Sequence, residues 1–187
     1  EYIMQKLRGF TLIEVLVTIS IIGILSSIVY ASFSDARESS RNKAMTVELK
    51  EVQLALETYR AQNDTFPLPA SAPCGGTDGS DRVATDSSCP GEYIDGLVPV
   101  FTAALPMSDD SGNTLCDIEY RTDAIGSWYK LTAINCLAGV DATTGVGPEK
   151  PLARCAISCD QSVAPCDPIG SDYYQSFAVY SLGGQCK

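Results

Sequence analysis

The chain has 187 residues and a formal net charge of −10, enough length for one folded domain with a real core plus an appended segment. Its 13 Lys and Arg are scattered rather than massed on one stripe, which argues against nucleic acid as its main partner; the acidity suits a soluble, exposed surface. Histidine is absent, which removes Ser-His-Asp and Cys-His catalysis and every His-containing metal site.

Residues 1–9 are short, polar and weakly basic, with Lys6 and Arg8 next to Gly9; Met4 reads as a start and the three residues before it as an upstream remnant. From Phe10 to Phe33 the chain is apolar apart from Glu14. About 24 residues give a helix of roughly 36 Å, slightly more than the hydrocarbon thickness of a bilayer, and a lone span in lipid is helical whatever its Ile and Val content. Gly23 is the local weak point of that helix. An unpaired carboxylate in hydrocarbon is costly, so Glu14 is a functional candidate and needs a partner. Lys6 and Arg8 flank one end of the span and Arg37, Arg41 and Lys43 the other, so cation counts alone leave the orientation open. The eight cysteines decide it, because all lie beyond residue 73 and need an oxidising compartment on the C-terminal side.

Residues 34–63 turn amphipathic without a break: Met45, Leu49, Val52, Leu56 and Tyr59 recur at spacings of four and three with no Pro or Gly between. Span and stripe therefore read as one helix of about 53 residues and about 80 Å. Asn63 suits a left-handed C-cap, and Asp64 ahead of Phe66-Pro67 gives a hard stop. The Asn63-Asp-Thr65 sequon reads as part of that cap rather than as a glycan acceptor.

Residues 64–92 form a Pro, Gly, Ser and Asp-rich loop, closed if Cys74 and Cys89 pair; a ring of that size is worth about 3 kcal/mol in the chain-entropy account. Strands are expected at Tyr93–Phe101, Leu115–Arg121, Trp128–Cys136 and Tyr173–Leu182. In the second of these Cys116, Ile118 and Tyr120 alternate with Asp117, Glu119 and Arg121, which implies a sheet with one buried and one wet face, the buried face covered by the helical stripe. Irregular, disulfide-tied structure is expected over residues 139–172. Cys74, Cys89, Cys116, Cys136, Cys155, Cys159, Cys166 and Cys186 lack the paired short spacings of a zinc site and read as disulfides, whose connectivity the spacing leaves open. Ser108-Asp-Asp-Ser-Gly-Asn113 offers a weak calcium candidate in Asp109, Asp110 and Asn113, but lacks the pattern of a formal calcium loop and reads as a solvated turn.

Gly9-Phe10-Thr-Leu-Ile-Glu14-Val, with cations before it and an apolar helix after it, closely resembles the processing motif of the type IV prepilins and the related type II secretion pseudopilins. The resemblance implies a prepilin peptidase that cuts between Gly9 and Phe10 and methylates the new Phe10 amine. It implies that this amine pairs with Glu14 between neighbouring subunits as a filament grows, and that Gly23 lets the helix unwind locally. A proline common further along the family's helix is missing, Ala31 standing there.

These readings give an α+β, pilin-like chain: one long N-terminal helix packed on a small antiparallel sheet with disulfide-tied loops. Its parts are a leader at 1–9, a membrane or filament-core half-helix at 10–33, an amphipathic half at 34–63 and a disulfide-rich β region at 64–187. The expected role is that of a non-enzymatic type IV pilus subunit without cofactor, favoured because a disulfide-dense domain suits a surface fibre and the calcium loop is poorly matched. Its implied partners are copies of itself, the prepilin peptidase, an inner-membrane assembly platform with its ATPase, and the membrane before assembly; its expected location is the inner membrane and then an extracellular filament. The first alternative is a type II secretion pseudopilin. The second is a secreted soluble protein cut after Val29-Tyr30-Ala31, which Glu14 and an apolar run beyond the usual 7–15 residues or so both disfavour.

Overall fold

The computed structural model describes residues 10–69, 81–83, 93–107, 116–139 and 145–187, with the backbone alone at 31–32, 81–83 and 171. The chain divides into two compact units, residues 1–37 and 38–187. Helix α1 runs Leu12–Asn63 and is followed by β1 (Asp81–Val83), β2 (Asp117–Thr122), β3 (Tyr129–Ile134), α2 (Ser171–Tyr174) and β4 (Phe177–Tyr180).

In the first unit α1 is a continuous α-helix through Gly23, and its apolar side chains are exposed, from Leu12 to Phe33. Thr18, Ser20 and Ser27 turn their hydroxyls back onto carbonyls of their own helix, at 2.8 Å from those of Val15, Leu16 and Ile24. Each of these three hydroxyls is thereby satisfied within the helix.

In the second unit the four strands form an antiparallel meander in the order β1-β2-β3-β4. Leu49, Val52 and Leu56 of α1 are buried against Ile118 and Tyr120 of β2, Tyr129, Leu131 and Ala133 of β3 and Phe177 and Val179 of β4, with Met45 and Tyr59 half-buried beside them. The helical stripe thus covers the sheet. The register explains the choice of face: Ile118 pairs with Ala133 and Tyr120 with Leu131, which in turn pairs with Val179. Beyond α1 the chain is held to the β2–β3 hairpin. The Phe66 amide donates to the Gly126 carbonyl at 2.8 Å, the Tyr120 hydroxyl donates to the Pro67 carbonyl at 2.7 Å, and the Phe66 ring meets Tyr129 edge-on at 4.6 Å. At the other end of the unit, the Asn42 side chain donates to the Ala138 carbonyl and accepts from its amide, both at 3.1 Å, as a strand partner would.

Four expectations need correction. The left-handed residue that ends α1 is Asp64 (φ 64°), not Asn63. Its amide returns to the Arg60 carbonyl at 2.8 Å, while Asn63 uses its side-chain amide on the Tyr59 carbonyl at 2.9 Å. Tyr93–Phe101 is not a strand: Ile94 bridges Pro69, after which the chain turns at Gly96 (φ 70°) and the Phe101 amide bonds to Leu97 at 2.9 Å. Gly96 admits a φ that residues with side chains rarely adopt and Pro99 has no N–H to give a ladder, so this apolar run buries Tyr93, Ile94 and Leu97 as a loop. The strand expected at Tyr173–Leu182 shrinks to Phe177–Tyr180, its first residues entering the short α2 instead.

The fourth correction concerns the face of the sheet away from α1, which is not simply wet. Lys130, Thr132 and Ala178 lie on it and are all buried. Over it folds the described part, residues 145–172, of the irregular segment expected at 139–172, tied by Cys155–Cys166 and Cys159–Cys186 and joined to β4 through the Ala178 amide and the Leu152 carbonyl at 3.2 Å. β2 keeps an alternating pattern of half-buried and buried residues, whereas β3 is buried on both faces. The third described bridge, Cys116–Cys136, ties the start of β2 to the end of β3. Cys74 and Cys89 lie outside the described residues.

Candidate functional site

The site is the start of α1. Thr11 is its N-cap and Glu14 stands three residues on, the Thr-x-x-Glu spacing of a capping box. Glu14 Oε2 accepts from the Thr11 amide at 2.8 Å and from the Thr11 hydroxyl at 2.7 Å, and the Glu14 amide points back to the Thr11 hydroxyl at 3.4 Å. Two donors that the helix cannot satisfy are thereby paired with the one acid of the apolar stretch, at the helix end where the macrodipole favours negative charge. The carboxylate that the sequence presents as unpartnered therefore has a partner inside its own chain.

Phe10, just before the cap, is 89% exposed. Around Gly23 there is nothing within 4 Å of where a Cβ would stand. The helix contains a stretch long and apolar enough to cross a membrane by length and composition, with a mean hydropathy of 2.4 and none of it buried. The structure thus places Phe10, Glu14 and Gly23 on one exposed apolar helix start. Gly9 and the bond after it lie outside the described residues, as do Asp109, Asp110 and Asn113. Among the described residues there is no group of three or more acidic or cysteine side chains that could hold a metal.

Thr11 was missed as a functional residue by sequence reasoning, although the capping-box spacing was there to find it. Lys130 was missed too. It is buried on β3, and burial with Arg154 and Arg121 nearby, opposed by Glu119, pulls its amine down to about 7. No sequence signal marks it, because alternation along β3 would have assigned it to solvent.

Residues 4–30, which include this helix start, match the family model described as the prokaryotic N-terminal methylation motif. The resemblance to the prepilin and pseudopilin family is therefore shown at the segment that carries the motif. Among curated proteins the chain is similar to the type II secretion system core protein G of Klebsiella pneumoniae, 34% identical over 64 residues, which is 34% of this chain and 46% of that protein. It is also similar to core protein G of Aeromonas hydrophila, 33% identical over 95 residues, or 50% of this chain and 64% of that protein. Core protein G of Escherichia coli K12 matches at 34% over 63 residues, 34% of this chain and 43% of that protein. The chain thus spans about half the length of the curated relatives it matches. No solved structure is significantly similar to it.

Proposed function

We propose that this chain is a structural, non-enzymatic subunit of a type II secretion pseudopilus. The observation that carries this reading is that the relatives reported above are all core proteins of type II secretion, one of them similar over 95 residues, well past the N-terminal motif. The type IV pilus subunit expected from the sequence has less support, since none of the relatives reported above is a pilus subunit.

In this reading a prepilin peptidase cuts after Gly9, and Phe10 acquires a free, methylated amine in an apolar setting. That amine needs an anion. Glu14 supplies one, and the capping box describes where its carboxylate rests beforehand: neutral donors from Thr11 hold it until a charged donor of a neighbouring copy replaces them. A charge-assisted bond is roughly twice as strong as a neutral one, so the exchange favours the assembled state in a dry environment. The apolar residues exposed from Leu12 to Phe33 then pass from lipid to the helices of other copies. The contact is head-to-neighbour and does not close, so it propagates as a helical filament. The assembly platform, its ATPase and the membrane-held precursor are further partners and states that this reading implies.

The test is a Glu14→Ala chain expressed in cells that secrete through such a system. Processing after Gly9 should persist while filament assembly, followed by cross-linking of adjacent copies, falls by at least tenfold together with secretion of a reporter substrate. Normal assembly of the variant would remove the proposal. Assembly loss without any loss of secretion would favour a pilus instead.

A further inference from the structure

The outer layer of the sheet holds a buried amine beside a disulfide. Lys130 is the charged side chain that is fully buried among the described residues, at 1% exposure. Its Nζ donates to the Lys187 carbonyl at 2.6 Å and lies 3.4 Å from Cys155 Sγ. Cys155 and Cys166, which form one bridge, are 0% and 2% exposed. Arg154, the residue before Cys155, and Arg121, paired with Lys130 across β2 and β3, add positive charge at the amine, each tempered by its own ion pair, Arg154 with Asp172 at 3.3 Å and Arg121 with Glu119 at 2.7 Å.

At the other two described bridges the polar neighbours of sulfur are backbone carbonyls, with Arg41 lining the same cavity as Cys116 and Cys136. Cys136 Sγ faces the carbonyls of Asp117 and Ile134 at 3.5 and 3.2 Å, and Cys159 Sγ faces that of Gln185 at 3.3 Å. Carbonyl oxygens repel a thiolate, whereas an ammonium in contact stabilises it. A disulfide is neutral and gains little from either. The difference between the bridges therefore arises only on reduction.

We propose that Cys155–Cys166 is a thiol-exchange site for a dithiol reductant, with Lys130 stabilising Cys155 as the leaving thiolate. A thiolate of the dithiol attacks Cys166 Sγ. The S–S bond breaks, its electron pair stays on Cys155 Sγ beside Lys130, and a mixed disulfide forms between Cys166 and the incoming sulfur. The second thiol of the reductant, after losing its proton, attacks that incoming sulfur and releases Cys166 as a thiolate that takes up the proton. The dithiol ends as a disulfide, oxidised by two electrons, and the bridge is reduced. Run in reverse, Cys155 is the nucleophile that closes the bridge during oxidative folding. Cys166 is 2% exposed behind a turn in which Val163 is 56% exposed and its carbonyl accepts the Cys166 amide at 2.9 Å, so the attack requires that turn to open.

The experiment equilibrates the full chain in detergent, at a pH below the value of about 7 at which the Lys130 amine loses its proton, with graded ratios of reduced and oxidised dithiothreitol, quenches with acid, alkylates and reads each bridge by peptide mass spectrometry. Cys155–Cys166 should be half-reduced at a ratio at least tenfold less reducing than the other two bridges, about 30 mV for a two-electron couple. Lys130→Met should bring it into line with them and Lys130→Arg should largely preserve the gap. Three bridges that titrate together, or an unchanged gap in Lys130→Met, would overturn the proposal. A second measurement is independent of how Lys130→Met folds. In Cys166→Ser, the pH dependence of Cys155 alkylation should place its thiol below the ordinary value of about 8.5, and a thiol at or above that value would equally overturn it.

Discussion

Replacing Lys130 by methionine should change how stability depends on pH. The amine lies fully buried and titrates in the folded chain at about 7, against about 10.4 for an unfolded lysine. The cause is first burial, then Arg154 and Arg121, with Glu119 partly compensating. Between those two values the unfolded chain binds the extra proton, so stability rises with pH across the interval; below about 7 both states are charged and the folded one carries the full cost of a buried ammonium. One proton contributes about 1.4 kcal/mol per pH unit, so the climb between pH 8 and 9.5 is about 2 kcal/mol. Tyr93 and Tyr129, whose hydroxyls burial pushes upward, oppose it only above about pH 10. The assay is thermal unfolding of the full chain in detergent, followed by near-ultraviolet circular dichroism at half-unit steps of pH. Wild type should climb over that window and Lys130→Met should run flat. The absolute stability of the variant also contains the loss of the bond to the Lys187 carbonyl, so the slope is the discriminating quantity. Parallel slopes for the two proteins would refute the reasoning.

Three substitutions test the packing of the helix on the sheet by the same unfolding assay. Leu56→Ala, at a position with no exposure in the core stripe, should cost about 3 kcal/mol through lost transfer energy and the cavity left behind; a cost under about 1 kcal/mol would mean the stripe is not packed as described. Gly126→Ala should cost at least about 2 kcal/mol, because the residue sits at φ 65° and a Cβ there would run into the Phe66 carbonyl. Tyr120→Phe removes the donor to the buried Pro67 carbonyl and should cost about 1–2 kcal/mol, with little change in the volume of the core.

Much of this was legible from residue patterns. The four-three spacing of Met45, Leu49, Val52, Leu56 and Tyr59 placed the helix against the sheet, and the alternation from Asp117 to Arg121 placed β2, because in both cases one face of a regular element meets the core and the other does not. Where no such contrast exists the pattern fails. Tyr93 to Phe101 is apolar because it is buried, but a buried loop and a buried strand read alike over so short a run. β1, with three residues from Asp81 to Val83, is too short to carry any period. The outer layer escaped because it is built from disulfides, and cysteine spacing does not fix which pairs form. That layer is also why Lys130 is buried: β3 is covered on both faces, and two-sided burial erases alternation. At the helix start, Glu14 stood out as a charge in an apolar run, while Thr11 did not, since the cost of the acid was plain from composition and its local partner was a matter of capping geometry.

The claim that most of the account depends on is that residues 10–14 begin the mature protein. Mass spectrometry of the N-terminal peptide, taken from chain recovered from membranes and from sheared filaments, tests it directly. The expected peptide begins at N-methylated Phe10 in both fractions, with Thr11 and Glu14 intact behind it. A mature N-terminus at Ser32, or an uncut chain in filaments, would contradict it.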